Sequence, residues 1–163
     1  MLNRYQKLAA RLDDGELILI DGATGTEIER RGVPQLENAW NGGGALSHPD
    51  VVREVHRDYI GAGAQIIISN TFATSRHALD DAGVAEHFDA LNRRGVELAV
   101  EARERSANPD IVVAGGISYW SWTGDKPGLN TLKQSITEQA KIMKEAGADL
   151  LMLEMMIDID RMC

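Results

Sequence analysis

Two acids and one amide carry the strongest chemical signal of this sequence. Asp21, Asn70 and Glu154 each follow an apolar run of strand length, and Ser118 comes shortly after another such run. If these runs are parallel strands, their polar end residues meet at one edge of the sheet, which is where α/β proteins place ligands. Two carboxylates and an amide at that edge favour a polar ligand with an ammonium group. Either acid has an alternative role, because a carboxylate at this place also caps the helix that follows.

A turn of small residues directly follows Asp21 and could bind the opposite charge. Residues 22–26 read Gly-Ala-Thr-Gly-Thr, and glycines allow a ligand to approach the backbone closely. Successive free N–H groups near a helix start attract an anion such as a carboxylate. The turn has neither the Gly-Lys-Ser/Thr of a P-loop nor the glycine spacing of a dinucleotide site. Acids beside an amide-lined turn therefore suit the zwitterion of an α-amino acid.

The elements that position these residues alternate between strand-length apolar runs and segments of helical periodicity. This alternation predicts an α/β fold with a parallel sheet. The predicted strands cover residues 17–20, 66–68, 111–114 and 150–153, and the predicted helices cover 47–63, 88–105 and 131–147, with another starting at 158. Ser47 is expected to cap the first of these helices and Thr131 the third, each with a polar partner three residues later.

One stretch of the sequence repeats. Residues 62–70 and 146–154 align as helix end, short turn and buried strand, and the two copies end in Asn70 and Glu154. The repeat follows either from the general likeness of two α/β units or from a duplication. In both cases we expect the copies to be structurally equivalent, with Asn70 and Glu154 at equal heights.

Composition excludes several classes of function. The chain has 163 residues, a net charge of −8, 44% hydrophobic residues and one Cys, which fits a single domain over residues 1–163. The acidic balance argues against nucleic-acid and anionic-membrane partners, and one Cys rules out a disulfide scaffold within this sequence. The first residues lack the apolar core of a signal peptide, and no run reaches the ~20 residues that span a bilayer. We therefore expect a cytoplasmic protein without a membrane partner.

Three blocks of the sequence resemble the homocysteine S-methyltransferase family. They are LIDGATGTEIERRG at 19–32, HPDVVREVHRDYIGAGAQIIISNTF at 48–72 and GADLLMLE at 147–154. The resemblance implies a (β/α)8 TIM barrel, of which this chain holds about the first four βα units. It implies transfer of a methyl group to the sulfur of homocysteine, giving methionine, or to a related thiol or selenol. It further implies a zinc ion that keeps this sulfur as the nucleophilic thiolate.

The resemblance also implies roles for individual residues. Asp21 and Glu154 would bind the ammonium group of the substrate, and Asn70 would line the same pocket. Trp40 matches an aromatic position that in betaine-using relatives helps form a cage for the methyl donor, and its alternative role is a hydrophobic lid or core plug. The substrate carboxylate would be bound by backbone amides of the small-residue turn, namely those of Gly22, Ala23, Gly25 and Thr26.

The chain departs from the family pattern in ways that affect the chemistry. The family's zinc-binding cysteines lie in the second half of the barrel, so we expect no catalytic residue and no metal ligand in this chain. Cys163 follows no metal-binding motif and is expected to be an ordinary helix or terminal residue. Ala73 stands where betaine-using relatives have a second cage aromatic, which makes betaine a less favoured donor. S-methylmethionine, S-adenosylmethionine and a methyl corrinoid stay open beside it.

The length of the chain provides about half of such a barrel. Eight units need about 250 residues, and four units would leave open strand edges. We therefore expect either a missing C-terminal half or a homo-oligomer that buries these edges. Two other functions stay open: a non-catalytic amino-acid-binding or assembly module and, less favoured, another TIM-barrel lyase acting on a phosphorylated substrate. No Lys stands at a predicted strand end to form a Schiff base, which counts against an aldolase.

Overall fold

A three-stranded parallel sheet forms the centre of the computed structural model, which describes residues 2–162. Its strands are β1 (Ile66–Ile68), β2 (Val112–Ile117) and β3 (Leu150–Leu153), in the order β1-β2-β3. The α-helices in this range are α1 (Arg4–Asp13), α2 (Thr24–Arg30), α3 (Gly44–Ser47), α4 (Pro49–Gly61), α5 (Arg76–Asp81), α6 (Phe88–Glu104), α7 (Leu129–Glu145) and α8 (Ile159–Met162). Short 3-10 helices at Asn41–Gly43 and Ala85–His87 precede α3 and α6. None of the described helices is long and apolar enough to span a bilayer.

The first predicted strand, at residues 17–20, is only partly confirmed. The segment runs parallel to β1, but it makes a single ladder bridge, between Ile20 and Ile66. The amide of Gln65 donates to the oxygen of Leu19 at 2.8 Å, and the amide of Asp21 donates to the oxygen of Ile66 at 3.0 Å. Within residues 2–162 this segment has a ladder neighbour on one side only. That is too few backbone bonds for a regular strand, but enough to fix the position of Asp21.

The central strand β2 is longer than predicted. Sequence patterning stops it at Ala114, whereas the ladder continues through Gly115, Gly116 and Ile117, which pair with β3. The two glycines look like the start of a loop, yet they are glycines because neighbouring side chains fill the space beside them. A Cβ at Gly115 would lie 2.7 Å from the sulfur of Met143.

Both predicted helix caps are wrong. Ser47 is the last residue of α3, where its hydroxyl donates to the oxygen of Gly43 at 3.1 Å. The N-cap of α4 is His48, without a side-chain cap, and Pro49 occupies the first turn, as its fixed φ allows. Helix α7 starts at Leu129 after Gly128, so Thr131 lies inside its first turn. In both cases the periodic pattern identified the helix and the capping pattern misplaced its first residue.

Side chains of the sheet alternate between two apolar clusters. Ile67 and Val113 face α6 and α7, where they pack with Val96 and Met143. Ile66, Val112 and Ala114 point to the opposite face, where Leu8 of α1 covers them. A strand buried on both faces reads as continuous apolar sequence, as β1 does. The β3 run is equally apolar, but its residues are half-buried or exposed, because β3 lies at an edge of the sheet.

The repeated segment is structurally equivalent in its two copies. Gly63 and Gly147 both adopt the left-handed conformation, with φ of 105° and 106°, and so end α4 and α7 in the same way. The ladder is nevertheless staggered, because Leu150 pairs through Ala114 with Ile68 and not with Ile66, its sequence counterpart. Measured along the ladder, Glu154 therefore lies two residues beyond Asn70. The expectation of equal heights is wrong in this sense, and the offset amounts to one residue per strand.

Candidate functional site

A cavity of about 150 Å³ opens at the carboxyl ends of the strands. Four pieces of chain form its walls: the small-residue turn, the 3-10 segment after Trp40, the end of β1, and the end of β3. The lining residues are Gly22, Ala23, Thr24, Gly25, Trp40, Asn41, Gly42, Ile68, Ser69, Asn70, Phe72, Ala73, Glu154 and Met155. The cavity therefore lies at the carboxyl ends of the strands, as the sequence predicts, and Asn70, Glu154 and the small-residue turn all line it.

Asp21 lies beside this cavity, with 7% of its surface exposed. Its Oδ2 accepts a hydrogen bond from the amide of Ile68 at 2.8 Å, while its Oδ1 is buried without a partner. Burial raises the pKa of Asp21 to about 7, and the Ile68 amide opposes part of that shift. A carboxyl group in this state needs a proton or a cation.

Glu154 follows β3 directly, and its amide donates to the oxygen of Ile117 at 2.9 Å. Its Oε1 is buried without a partner. Burial and the charge of Asp21 together raise the pKa of Glu154 to about 7. A Cβ at Gly116 would lie 2.1 Å from this Oε1, so the glycine of β2 makes room for the carboxyl group. Glu154 therefore lines the cavity within the electrostatic influence of Asp21, which lies beside it.

Close contacts shape the small-residue turn. A Cβ at Gly22 would lie 3.1 Å from the hydroxyl oxygen of Tyr59, and one at Gly25 would lie 2.7 Å from the ring of Trp40. The turn leads into α2, whose N-cap is Ala23. Gly22, Ala23 and Gly25 line the cavity, whereas Thr26 lies further along α2, outside the lining.

Asn70 is fixed by an asparagine that sequence patterning missed. The Asn70 amide nitrogen donates to the backbone oxygen of Asn41 at 2.9 Å, and the Asn41 side chain donates to the oxygen of Gly25 at 2.8 Å. The Oδ1 of Asn41 is buried without a partner. A signal was present: Asn41 opens a run of three glycines, and a Cβ at Gly42 would lie 2.9 Å from the Ala73 oxygen.

Aromatic side chains form the apolar wall of the cavity. Trp40 packs edge-on against Phe72 with ring centroids 6.3 Å apart, and Phe72 packs against Trp122 at 5.9 Å. Trp40 has a positive φ of 42°, a strained conformation for a bulky residue. Its ring lines the cavity, so Trp40 is not a core plug. Phe72 and Met155 also line it, and sequence patterning named neither as a site residue.

Ser118 follows β2 as predicted, but it serves the next loop. It is buried, and its Oγ accepts from the amide of Trp120 at 3.1 Å. The same loop is held by His77, whose Nε2 lies 2.9 Å from the oxygen of Trp120. Of the four polar residues after predicted strands, Asn70 and Glu154 line the cavity, Asp21 lies beside it, and Ser118 serves the neighbouring loop instead.

Metal-ligand chemistry has no visible basis in the described part of the chain. Among residues 2–162, no group of three or more His, Cys, Asp or Glu side chains could hold a metal ion. The single cysteine, Cys163, lies outside the described residues. The residues described thus do not fit a resident zinc ion, and the chemistry of the cavity is that of carboxyl, amide and aromatic groups.

Sequence comparison links this arrangement to a known family. Residues 18–163 match the family described as Homocysteine S-methyltransferase. The chain belongs to this family. The homocysteine S-methyltransferase of Escherichia coli K12 is 30% identical over 168 residues, covering 94% of this chain and 54% of that protein. The selenocysteine Se-methyltransferase of Brassica oleracea var. italica is 29% identical over 167 residues, covering 87% and 48%.

Solved structures of the homocysteine S-methyltransferase family share the fold. The metallated form of the E. coli homocysteine methyltransferase MmuM matches with a TM-score of 0.79 at 26% identity, covering 98% of this chain and 59% of that one. Its oxidised form matches with a TM-score of 0.76 at 31% identity, covering 92% and 56%. The chain spans about half the length of the curated relatives it matches. The resemblance that the sequence suggested is confirmed.

Proposed function

We propose that this chain supplies the amino-acid-binding half of an enzyme that methylates the sulfur of homocysteine or of a related thiol or selenol. One observation carries the proposal: two carboxyl groups, each with a buried unpartnered oxygen, lie at one cavity, Glu154 in its lining and Asp21 hydrogen-bonded to Ile68 of that lining. In the part of the chain that the structure describes, no Lys, Arg or His forms an ion pair with either group. A ligand with an ammonium group is the natural complement.

Electrostatics explains why such a site selects a cation. Burying an unpaired carboxylate is unfavourable by several kcal/mol, and two adjacent ones repel each other as well. An ammonium group offers three N–H donors and one positive charge. It satisfies Asp21 and Glu154 together, which water cannot do without leaving the charge unbalanced.

The other walls suit the rest of an amino acid. Backbone amides of the turn formed by Gly22, Ala23 and Gly25 would bind the substrate carboxylate, and Asn70, fixed by Asn41, would line the pocket beside it. The apolar wall of Trp40, Phe72 and Met155 favours a thioether-like side chain and, on the donor side, a positively charged methyl donor. These contacts orient the sulfur of the substrate.

The catalytic contribution of this chain is alignment. Holding acceptor and donor in a reactive arrangement converts a bimolecular methyl transfer into an effectively unimolecular step. The zinc ion expected for the complete enzyme has no fitting ligand set among residues 2–162. The residues described here therefore bind and orient, and activation of the thiol belongs to the rest of the enzyme.

The stagger of the sheet supports an eight-stranded barrel as the complete fold. A shift of one residue per strand, repeated around eight strands, gives the shear of eight that closes a TIM barrel. The two lateral edges of the sheet expose apolar side chains, namely Leu17, Leu19 and Ile20 on one side and Leu151 and Leu153 on the other. We propose that further βα units, from a longer chain or a second copy, cover these edges.

The test is an NMR titration of the 163-residue chain with two ligands. L-methionine should shift amide resonances of the turn and of residues 68–70, whereas 4-(methylthio)butanoate, which lacks the amino group, should not bind. Asp21→Asn and Glu154→Gln should each weaken L-methionine binding at least tenfold. Glu104→Gln, which removes an exposed carboxylate from the end of α6, is the matched control. Equal binding of the two ligands would refute the proposed ammonium site.

A further inference from the structure

The carboxyl groups of Asp21 and Glu154 form a pair that cannot easily hold two charges. Asp21 Oδ2 has the Ile68 amide as its donor, whereas Asp21 Oδ1 and Glu154 Oε1 are buried without partners. The backbone of Gly116 packs directly against Glu154 Oε1, where a side chain on residue 116 would have no room. Buried like charges at one site are relieved when one of them takes up a proton.

We propose that this pair holds one proton in the ligand-free protein, and that the ammonium group of an incoming amino acid displaces this proton into solvent. The proposal rests on the proposed function, because it assigns the ammonium group to Asp21 and Glu154. Before binding, the pair is one carboxylate and one carboxylic acid. After binding it is two carboxylates around one ammonium cation, and one H⁺ has left the protein. No covalent bond other than an O–H bond breaks.

The surroundings of the pair contain no cation that could replace the proton. From α4, the hydroxyl group of Tyr59 faces Gly22. From α2, Glu27 is paired with Arg30 and Arg31, and Arg31 is also paired with Asp58 of α4, so two positive charges are balanced by two carboxylates. After β1 come Ser69 and Asn70, which are neutral, and β2 contributes Gly116, which has no side chain.

Two further carboxylates, those of Glu29 and Asp58, each have a hydrogen-bond partner. Glu29 accepts from the Trp40 indole nitrogen at 3.4 Å. Asp58 is bonded to Arg31 at 2.6 Å. Neither supplies positive charge to the pair. Among the described residues the proton is therefore the available counter-charge until a ligand arrives.

Titration of the pair falls in the range where the exchange is measurable. The pKa of each group is raised to about 7, for Asp21 by burial and for Glu154 by burial and by the charge of Asp21. Because the charge of Asp21 acts on Glu154, the two carboxyl groups titrate as a pair, with one proton retained above the ordinary range. Amino-acid affinity should then fall about tenfold per pH unit below pH 6.5 and level off above pH 8.

Calorimetry of L-methionine binding measures the exchange directly. At pH 7, titrations of the 163-residue chain in phosphate and in Tris, whose ionisation enthalpies differ widely, should give different heats. The difference should correspond to release of about half to one proton per amino acid bound. Glu154→Gln should bind more weakly and release a smaller fraction of a proton, and Glu104→Gln should match the unmodified chain.

Carbon-detected NMR of the carboxyl groups provides a readout that does not depend on affinity. In the ligand-free chain, Asp21 and Glu154 should share a titration step near neutral pH, and saturating L-methionine should remove that step. Binding with buffer-independent heat and unchanged affinity between pH 5.5 and 8 would overturn the proton exchange and leave the amino-acid pocket standing. A folded chain that shows no shifts with L-methionine at pH 8 would overturn the proposed function itself.

Discussion

At the scale of single residues, function and stability oppose each other in this protein. The strand-end acids were predictable because each follows an apolar run, and the turn was predictable from its small residues. Phe72 and Met155 were not predictable, and the only sequence signal for Asn41 was the run of glycines after it, because loops without periodicity bring these residues to the cavity. The acids remain buried without a cation of their own, which is unfavourable for the folded state and favourable for ligand binding.

Asp21→Asn should therefore stabilise the protein at high pH. The folded pKa of Asp21 is about 7 and its reference value is 3.8. The folded state thus holds its proton more tightly, and stability falls as pH rises from 4 to 7. The loss amounts to at most ~4 kcal/mol above pH 7. Urea unfolding should show Asp21→Asn more stable than the unmodified chain at pH 8 and equal to it at pH 4. Equal stability at both pH values would contradict the assigned ionisation.

His56 should show the opposite pH dependence. It is fully buried in α4, neither ring nitrogen has a partner, and burial lowers its pKa to about 4 from 6.5. The unfolded state binds the proton first, so this residue lowers stability as pH falls from 6.5 to 4, by up to ~3 kcal/mol. His56→Leu should lose that acid sensitivity in urea unfolding curves measured at pH 7 and pH 4.5. His87→Leu, at an exposed position, serves as the control and should keep it.

At the scale of elements, the strands of the sheet and the long helices were recognisable and their ends were not. Apolar runs identified β1 and β3, and periodicity identified α4, α6 and α7. The predictions of element ends were wrong where tertiary contacts determine those ends. β2 continues through Gly115 and Gly116, because Met143 and Glu154 occupy the space that side chains at these positions would need. The 17–20 segment falls short of a regular strand because it has one neighbour in the described chain.

Gly116→Ala tests whether an element's backbone makes room for the site. The new methyl group would collide with Glu154 Oε1, and the side chain of Ile68 stands at 3.1 Å on the other side. The carboxyl group must turn away, so L-methionine affinity should drop at least tenfold in an NMR titration. Gly61→Ala has no atom within 4 Å of its Cβ and should bind normally. Unchanged affinity in Gly116→Ala would show that Glu154 does not need its present position.

At the scale of the whole molecule, the sheet has two lateral edges whose apolar side chains are exposed to water, which is energetically unfavourable. Leu17 is 92% exposed, and Leu151, Leu153, Ile157 and Ile159 expose large apolar surfaces beside the other edge. Unpaired strand edges with apolar side chains promote association. We expect the 163-residue chain, alone in solution, to self-associate, with a sedimentation-derived mass that rises above 17.8 kDa as concentration increases. Leu17→Lys combined with Leu151→Lys should shift it toward the monomer, whereas Leu2→Lys, at an exposed position before α1, should not. A monodisperse monomer across the concentration series would show that these edges are stable in water as they stand.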